Sequence, residues 1–342
     1  MPLEKIPTAQ LPAAKPGPGA RIPGLLVCLA GGGLSWLAAQ VAPVSALLIA
    51  ILLGALWRNL APVPAVLDAG VQVSGRRLLR LGIVLLGLQL SLSGILGLGP
   101  GVLVVVALSV GVTFGASLLI GKWLGLAMPQ RLLIAAGFSI CGAAAVAACA
   151  GTVKATREQV ATAIGLVVLF GTLLIPLGPA LGMLVGFDDE ATGMFIGAAT
   201  HEVAQVVAAG GAVGASALAV AVTVKLARVL LLAPVMAGVG LYMRRTHSMG
   251  AGTRPPLVPL FVAGFMAAVL LRSTGVLPEV VLDIASWAQT FLLATAMFAL
   301  GLGVHLRSII RTGGRSLVLA AAATVVIILV SLAGTALFPP AG

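Results

Sequence analysis

The chain of 342 residues is 60% hydrophobic and 8% charged, and its mean hydropathy is +1.17. This profile excludes a soluble domain and indicates a polytopic membrane protein. A net charge of +11 would suggest nucleic acid in a soluble protein, but the chain has one Tyr and no aromatic–basic cluster. The positive charge is therefore explained by basic loops that set the orientation in the membrane. No nucleic-acid partner is expected.

Eleven apolar runs follow one another, and most approach the roughly 20 residues that cross a bilayer. Residues 1–23 are predicted to be a cytoplasmic tail, residues 24–338 one transmembrane domain, and residues 60–77 a cytoplasmic surface segment. The first run has no clear cleavage site, which favours a retained span over a signal peptide. The runs cover residues 24–42, 44–57, 78–97, 101–121, 132–151, 159–183, 191–212, 216–241, 257–272, 288–304 and 316–338.

Two of these runs contain similar segments rich in small residues, Gly137–Ala148 and Gly197–Gly210. Ser139 and Thr200 hold matching positions, and each is predicted to be the N-cap of a half-helix, with the glycines marking the interruption. A helix that stops at membrane depth requires protein or water over the break. Paired interruptions are typical of transporters with inverted repeats, although alanine- and glycine-rich helices also resemble each other by composition alone.

Each of the two segments is followed by a long apolar helix that is predicted to end at a proline, Pro176 and Pro234 respectively. A weaker echo links residues 86–95 with residues 300–309, in spans that run in opposite directions. Both observations favour an inverted repeat.

The distribution of Lys and Arg decides between two topologies, both with the N-terminus inside and the C-terminus outside. If all eleven runs span, 15 basic residues lie inside and three outside. If 132–151 and 191–212 are re-entrant, Lys154 and Arg157 move inside and the count becomes 17 against one. The positive-inside rule therefore favours about nine spans with two re-entrant segments over eleven spans.

Lys225 and Arg228 are three residues apart on one face of the run 216–241. Arg228 lies roughly 18 Å from either end of this predicted helix, too far for its side chain to reach water. The two cations must therefore meet protein, water or a ligand. One interpretation is a structural ion pair with Glu202, and the other is an anion site completed by the two half-helix starts.

His201, Glu202 and Gln205 are polar residues in the first turns of the second predicted half-helix. An ionised Glu202 would repel a dianion, so protonation of Glu202 or His201 is expected to be coupled to binding. Gly142 would allow an anion to approach the backbone closely. The predicted substrate-binding set is Ser139, Cys141, Gly142, Thr200, His201, Glu202, Gln205, Lys225 and Arg228.

Enzyme motifs are missing from the sequence. His201-Glu202 is not followed by a second histidine at zincin spacing, and there is no G-x-S-x-G. Ser139 and Cys141 have no obvious base except His201, which comes from a distant segment. The three cysteines lie in apolar runs and predict neither a disulfide framework nor a metal site. No catalytic residue, metal or cofactor is expected.

Four segments resemble the YeiH-type family of bacterial inner-membrane proteins, for which export of sulfate or related oxyanions is predicted. They are Ser139–Val146, His201–Gly210, Lys225–Pro234 and Phe291–Met297, and the resemblance runs from about residue 24 to residue 338. It implies location in the inner membrane and a small anionic substrate.

The sequence thus predicts an all-α polytopic membrane protein with an inverted-repeat, secondary-transporter-like fold and two interrupted or re-entrant helices. Its predicted function is export of a small anion such as sulfate, with proton or sodium coupling and the lipid bilayer as its environment. A cation–proton antiporter and an anion channel or sensor remain alternatives, and so does assembly as a homodimer.

Overall fold

The computed structural model describes residues 18–41, 46–90, 92–97, 99–246, 260–303 and 314–340. Most of the predicted tail 1–23 and of the echo segment 300–309 lies outside these ranges. The described chain is helical throughout its regular structure. Its α-helices are α1 Ile22–Val41, α2 Ala46–Leu60, α3 Asp68–Val73, α4 Leu79–Leu86, α5 Leu92–Gly97, α6 Pro100–Trp123, α7 Met128–Ala136, α8 Ala143–Thr152, α9 Arg157–Val185, α10 Asp189–Ala199, α11 Val203–Val213, α12 Ala215–Leu230, α13 Leu232–Thr246, α14 Leu260–Ser273, α15 Glu279–Gly301 and α16 Gly314–Leu337.

Within the described ranges, six helical stretches are long and apolar enough to cross a bilayer. The chain is therefore an all-α polytopic membrane protein, as its composition predicts. The six stretches are Gly19–Val41, Pro100–Trp123, Glu158–Val185, Ala215–Arg245, Glu279–Gly301 and Gly314–Leu337.

The helices pack into two groups. One group contains α1, α2, α4, α14 and α15, and the other contains α6, α7, α9, α10, α11, α12 and α16. Because apolar side chains gain little from meeting each other in lipid, close backbone approach at small residues stabilises such contacts. Gly54 of α2 and Gly301 of α15 are an example, since a Cβ on either would meet the backbone of the other helix.

The same close approach explains Gly197 and Gly210, which are predicted to mark an interruption, and it also explains Gly193. Gly193 and Gly197 lie inside α10, where a Cβ would meet the backbone of α12 at Ala217 and Ala221. Gly210 also lies inside its helix, α11, tightly against Leu218. The expectation that these glycines mark the interruption is thus wrong: packing requires them, and the interruption falls at residues 200–202.

Two further boundaries differ from the prediction. Neither proline ends its helix: α9 continues past Pro176 to Val185, and Pro234 lies in the first turn of α13, after the turn at Leu231. Residues 60–77 become α3 and a π-helical turn, Ser74–Leu78, that runs directly into α4.

α9 separates two helical hairpins. Its 29 residues span about 43 Å, and its N-terminus is fixed by Thr156, whose hydroxyl accepts a hydrogen bond from Gln159 N. The pair α7–α8 is joined to the N-terminal end of α9, and the pair α10–α11 follows its C-terminal end. The two pairs therefore enter the molecule from opposite ends of α9.

Each pair turns back on itself. A Cβ at Gly137 would meet Val146 Cγ2, although nine residues of straight helix would separate these positions by about 13 Å. In the second pair, a Cβ added at Gly214 would lie 3.4 Å from Asp189 Oδ2, so the end of α11 returns to the start of α10. The tips of the two hairpins meet inside the protein, where the predicted site residues lie.

Candidate functional site

The first hairpin tip consists of a π-helical turn, Gly137–Cys141, followed by Gly142. Gly142 has φ +76° and ψ −134°, a conformation that strongly favours glycine, and it reverses the chain into α8. Ser139 lies before the break, and its hydroxyl donates to Ala135 O at 2.6 Å. The prediction that Ser139 caps the half-helix is therefore wrong, because Gly142 is the N-cap.

The second tip is formed by Thr200, His201 and Glu202, which lie between α10 and α11. Thr200 is the C-cap of α10, its backbone N–H donating to Ile196 O, and Glu202 is the N-cap of α11. The prediction that Thr200 begins the half-helix is wrong by two residues. Gln205 Oε1 accepts from Glu202 N at 3.1 Å, so the Gln205 amide fixes the extended backbone of the tip.

The two tips are joined by the Glu202 carboxylate. Its Oε1 accepts a hydrogen bond from Ala143 N, the first residue of α8, at 2.9 Å. A Cβ on Gly142 would collide with the Glu202 side chain, so the missing side chain is what admits the carboxylate. A helix N-terminus is a natural anion site. Here the protein's own carboxylate occupies it.

Two buried cations, Lys225 and Arg228, bind the carbonyls that precede the break in each hairpin. Lys225 Nζ donates to Ile140 O at 2.8 Å and to Thr200 O at 2.9 Å, so it links the first tip with the second. The side chains of Lys225 and Arg228 are fully buried. Their partners are carbonyl oxygens at or near the C-terminal ends of the preceding helices, where the helix dipole is negative.

Arg228 makes the more extensive link. Its Nη1 donates to Gly197 O and Thr200 O at 3.1 and 2.9 Å, its Nη2 to Ser139 O and Phe138 O at 2.6 and 3.4 Å, and its Nε to Ser139 O at 3.2 Å. A guanidinium has five N–H donors, and these contacts account for all of them. A bidentate contact with an anion would therefore require Arg228 to release carbonyl partners.

His201 lies on the other side of the tip. Its Nδ1 is 3.3 Å from Phe138 O and its Nε2 is 3.2 Å from Thr324 Oγ1 on α16. A carbonyl only accepts, so Nδ1 carries a proton. The Thr324 hydroxyl donates to Ala320 O at 2.9 Å. A doubly protonated ring donates to Thr324 Oγ1 and leaves this bond in place, whereas a neutral ring accepts from the Thr324 hydroxyl only if that hydroxyl gives up Ala320 O. Thr324 is not predicted from the sequence, because a single hydroxyl in an apolar helix gives no signal of this contact.

A small cavity of about 50 Å³ lies beside Glu202, and Cys141 and Ala144 form part of its wall. Gln289 and Met297 of α15 line it from the other helix group. The described lining is otherwise apolar, and it consists of Leu47, Ile83, Leu86, Val203, Val229 and Leu293. The space corresponds to one or two water molecules.

The structure brings all members of the predicted substrate-binding set to this one place. Glu202, Gln205 and the two cations are buried, and so are Ser139, Gly142, Thr200 and His201. Cys141 lines the cavity as a free thiol. Sequence reasoning missed Ala143, whose contribution is a backbone N–H and therefore invisible in side-chain chemistry. It also missed the Phe138 carbonyl and the α15 residues Gln289 and Met297.

The chain matches a family model described as conserved hypothetical protein 698 over residues 23–320. A UPF0324 membrane protein of Corynebacterium glutamicum is 47% identical over 322 residues, with 92% of each chain covered. A UPF0324 membrane protein of Pseudomonas aeruginosa is 43% identical, covering 88% of this chain and 89% of the relative. The UPF0324 inner membrane protein YeiH of Escherichia coli K12 is 37% identical, covering 89% and 88%. No solved structure matches. The chain belongs to the UPF0324 family of multi-pass membrane proteins, the YeiH-type family.

Proposed function

We propose that this protein is a secondary transporter that exports a small anion, sulfate or a related oxyanion, across the bacterial inner membrane. The observation that carries the proposal is the Glu202 carboxylate at the N-terminus of α8, between two reversing hairpins and close to two buried cations. Ionisable residues at membrane depth are costly and usually mark a transport pathway. Interrupted helices that meet near the midplane are typical of secondary transporters.

The charges at the hairpin tips favour an anionic substrate. In their ionised forms Lys225 and Arg228 outweigh Glu202, which leaves one net positive charge. The partial charges of the helix ends offset each other, since two C-termini and two N-termini meet here. Protonation of Glu202 would leave two positive charges, which matches a dianion such as sulfate.

The size of the cavity makes Glu202 a competitor of the substrate. A space of about 50 Å³ has no room for a tetrahedral oxyanion while the carboxylate remains on Ala143 N. We infer that substrate binds after Glu202 leaves the helix end, and that the anion then accepts from the same N–H. Neutralising Glu202 by protonation weakens its bond to that N–H and favours the exchange. Export would then be coupled to proton movement.

The contacts of the cations favour a proton over sodium as the coupling ion. Sodium sites in transporters with broken helices use carbonyls and C-terminal helix ends. Here the carbonyls of Ser139, Ile140, Gly197 and Thr200 are hydrogen-bonded to Lys225 and Arg228. Fixed cations thus hold the positions where sodium would find its ligands.

The hairpin geometry supports the re-entrant topology and the inverted repeat. Both pairs return to the end of α9 at which they start, and they do so from opposite ends. Placing the Arg76 and Lys154 end inside satisfies the positive-inside rule. We extend the proposal to this topology, with the N-terminus in the cytoplasm and the C-terminus outside.

Flux of radiolabelled sulfate from proteoliposomes tests the proposed function, with protein-free vesicles as the control. We expect saturable sulfate efflux that is accelerated by an outward proton gradient, since protonated Glu202 favours the anion and the two then move together, and that is unaffected by a sodium gradient. Proton flux driven by sodium or potassium, with no sulfate movement, would instead identify a cation–proton antiporter. Conductive, gradient-independent flux would identify a channel. Retention of sulfate under every gradient would contradict the proposal.

A further inference from the structure

A second and larger cavity, of about 270 Å³, lies near the Arg76 end of the protein. Its walls come from the α3–α4 segment, α8, the start of α9 and the end of α15. Among the described residues that line it, Arg76 and Arg80 are the charged ones, and both are exposed. The remainder are Val71, Gln72, Gly75, Ala147, Ala150, Gly151, Ala155, Val160, Ala161, Ile164, Ala299, Leu300 and Gly303.

This cavity is aligned with the cavity at Glu202 along three helices. On α8 the lining passes from Ala144 in the small cavity to Ala147 in the large one, and on α15 it passes from Met297 to Leu300. On α4 it passes from Ile83 to Arg80. Three residues of helix correspond to about 4.5 Å in each case. The two spaces are therefore separated by about one helical turn.

We propose that the large cavity is an anion-loading vestibule in which Arg76 and Arg80 concentrate small oxyanions before they pass to the hairpin tips. The inference rests on the proposed function and specifies where its substrate enters. Guanidinium groups match oxyanions in shape and charge. Small Gly and Ala side chains keep the space open, and the flexible side chains of Met297 and Leu300 lie at the junction of the two cavities.

Phosphate groups of lipids share this chemistry, since arginines near a membrane surface also bind anionic headgroups. The alignment of this cavity with the cavity at Glu202 favours a free oxyanion, because a lipid headgroup is attached to acyl chains and cannot move on to the hairpin tips. Arg80 has a second contact, with its Cζ 5.5 Å from the centroid of the Phe261 ring. Arg76 is thus the cleaner residue to change.

Charge-selective thiol labelling tests the vestibule independently of transport. In a background without Cys28, Cys141 and Cys149, Ala150→Cys places a thiol in the cavity wall. Relative to the rates of the two reagents with a free thiol in solution, we expect an anionic methanethiosulfonate reagent to react about tenfold faster than a cationic one, because a cleft with charge of one sign raises the local concentration of counter-ions. Arg76→Gln, alone and with Arg80→Gln, should reduce this ratio several-fold.

Arg77→Gln is the matched control, since Arg77 is an exposed neighbour outside the lining. It should keep the ratio of the parent. A ratio near one in the parent, or a ratio that survives Arg76→Gln with Arg80→Gln, would overturn the inference. The single Arg76→Gln variant preserves the test if the double variant folds poorly.

Nanodiscs distinguish the two sources of phosphate-like ligands. With free oxyanions as the occupant, labelling should be equal in phosphatidylcholine and in phosphatidylglycerol discs, and millimolar sulfate should slow the anionic reagent. Loss of labelling in phosphatidylglycerol alone would assign the cavity to lipid and overturn the inference. A protein that shows this selectivity but no sulfate efflux would retain the vestibule and lose the proposed function.

Discussion

The two hairpins have the same architecture but contribute different chemistry. The tip of α7–α8 offers backbone groups: the Ala143 N–H and the carbonyls of Phe138, Ser139 and Ile140. The tip of α10–α11 also offers carbonyls, those of Gly197 and Thr200, and it adds the side chains of His201 and Glu202. The first hairpin therefore supplies the helix N-terminus at Ala143, and the second supplies the Glu202 carboxylate that binds to it.

Arg228 and Lys225 hold the two hairpins together from a third element, α12. Both bond to carbonyls, so they stabilise helix ends that would repel each other. The two cations are thus held by backbone carbonyls, whereas in the proposed mechanism the Glu202 carboxylate is exchanged for the anion. Each of the following changes alters one side of this comparison.

The largest effect is expected for Arg228→Met, which removes the shared link. Ser139 O and Gly197 O lose their described donors, and each buried group left unpaired costs about 1–3 kcal/mol. The loss should be about 2–6 kcal/mol by these terms. Arg228→Lys should recover only part of it, because an ammonium does not reproduce the planar fork. Thermal unfolding of purified protein measures the loss.

Arg131→Met is the control for Arg228. Its Nε and Nη2 both donate to a single carbonyl, Leu118 O, between the neighbouring helices α6 and α7. Its replacement should cost less than that of Arg228. Equal losses in the two variants would contradict the account of Arg228 as the link between hairpins.

Gly142→Ala separates backbone strain from the receptor function. The Cβ would meet Glu202 Cγ and Oε1, and φ +76° with ψ −134° lies outside the left-handed helical region, so backbone strain adds to this collision. Gly186→Ala has φ +80° with ψ +27°, inside the left-handed region, where an alanine costs about 1–2 kcal/mol, and its Cβ would have open space. We expect a lower melting temperature for Gly142→Ala than for Gly186→Ala, together with altered sulfate binding in the first variant alone. Equal effects would show that the carboxylate does not depend on this gap.

A smaller effect is expected for Thr324→Val, which removes a hydroxyl that contacts His201 Nε2 and donates to Ala320 O. The His201 contact should account for about 1 kcal/mol of the loss, the usual net value of one hydrogen bond. Thr113→Val is a buried control, because the Thr113 hydroxyl has no partner among the described residues. It should leave the melting temperature nearly unchanged. If both variants melt like the parent, the contact of His201 with α16 contributes nothing to stability.

The smallest effect on stability is expected for a change that tests whether the two hairpins enter the membrane from opposite sides. Arg157→Cys, at the start of α9, should be labelled by an impermeant thiol reagent from the cytoplasm alone, in a background without the native cysteines. Labelling of intact cells from outside would contradict the re-entrant topology. It would leave the anion site and its chemistry untouched.

The sequence predicts the location of the site better than its helix caps and hydrogen bonds. Lys225 and Arg228 stand out because no side chain can reach water from the middle of such a helix. Glu202 stands out for the same reason. The caps could not be predicted, since the π-helical turn before Gly142 and the extended residues at 200–202 depend on contacts between hairpins. The vestibule was missed because Gly and Ala dominate its walls.

The central claim is that Glu202 competes with the anion, and sulfate titration at several pH values tests it most directly. Protonated Glu202 favours a dianion, so the parent should bind sulfate more tightly as pH falls. Glu202→Gln should bind at every pH with the low-pH affinity of the parent, which is about 10- to 150-fold above its high-pH affinity if one charged interaction is exchanged. Glu158→Gln, an exposed carboxylate at the start of α9, should behave like the parent. An unchanged pH dependence in Glu202→Gln would contradict the account.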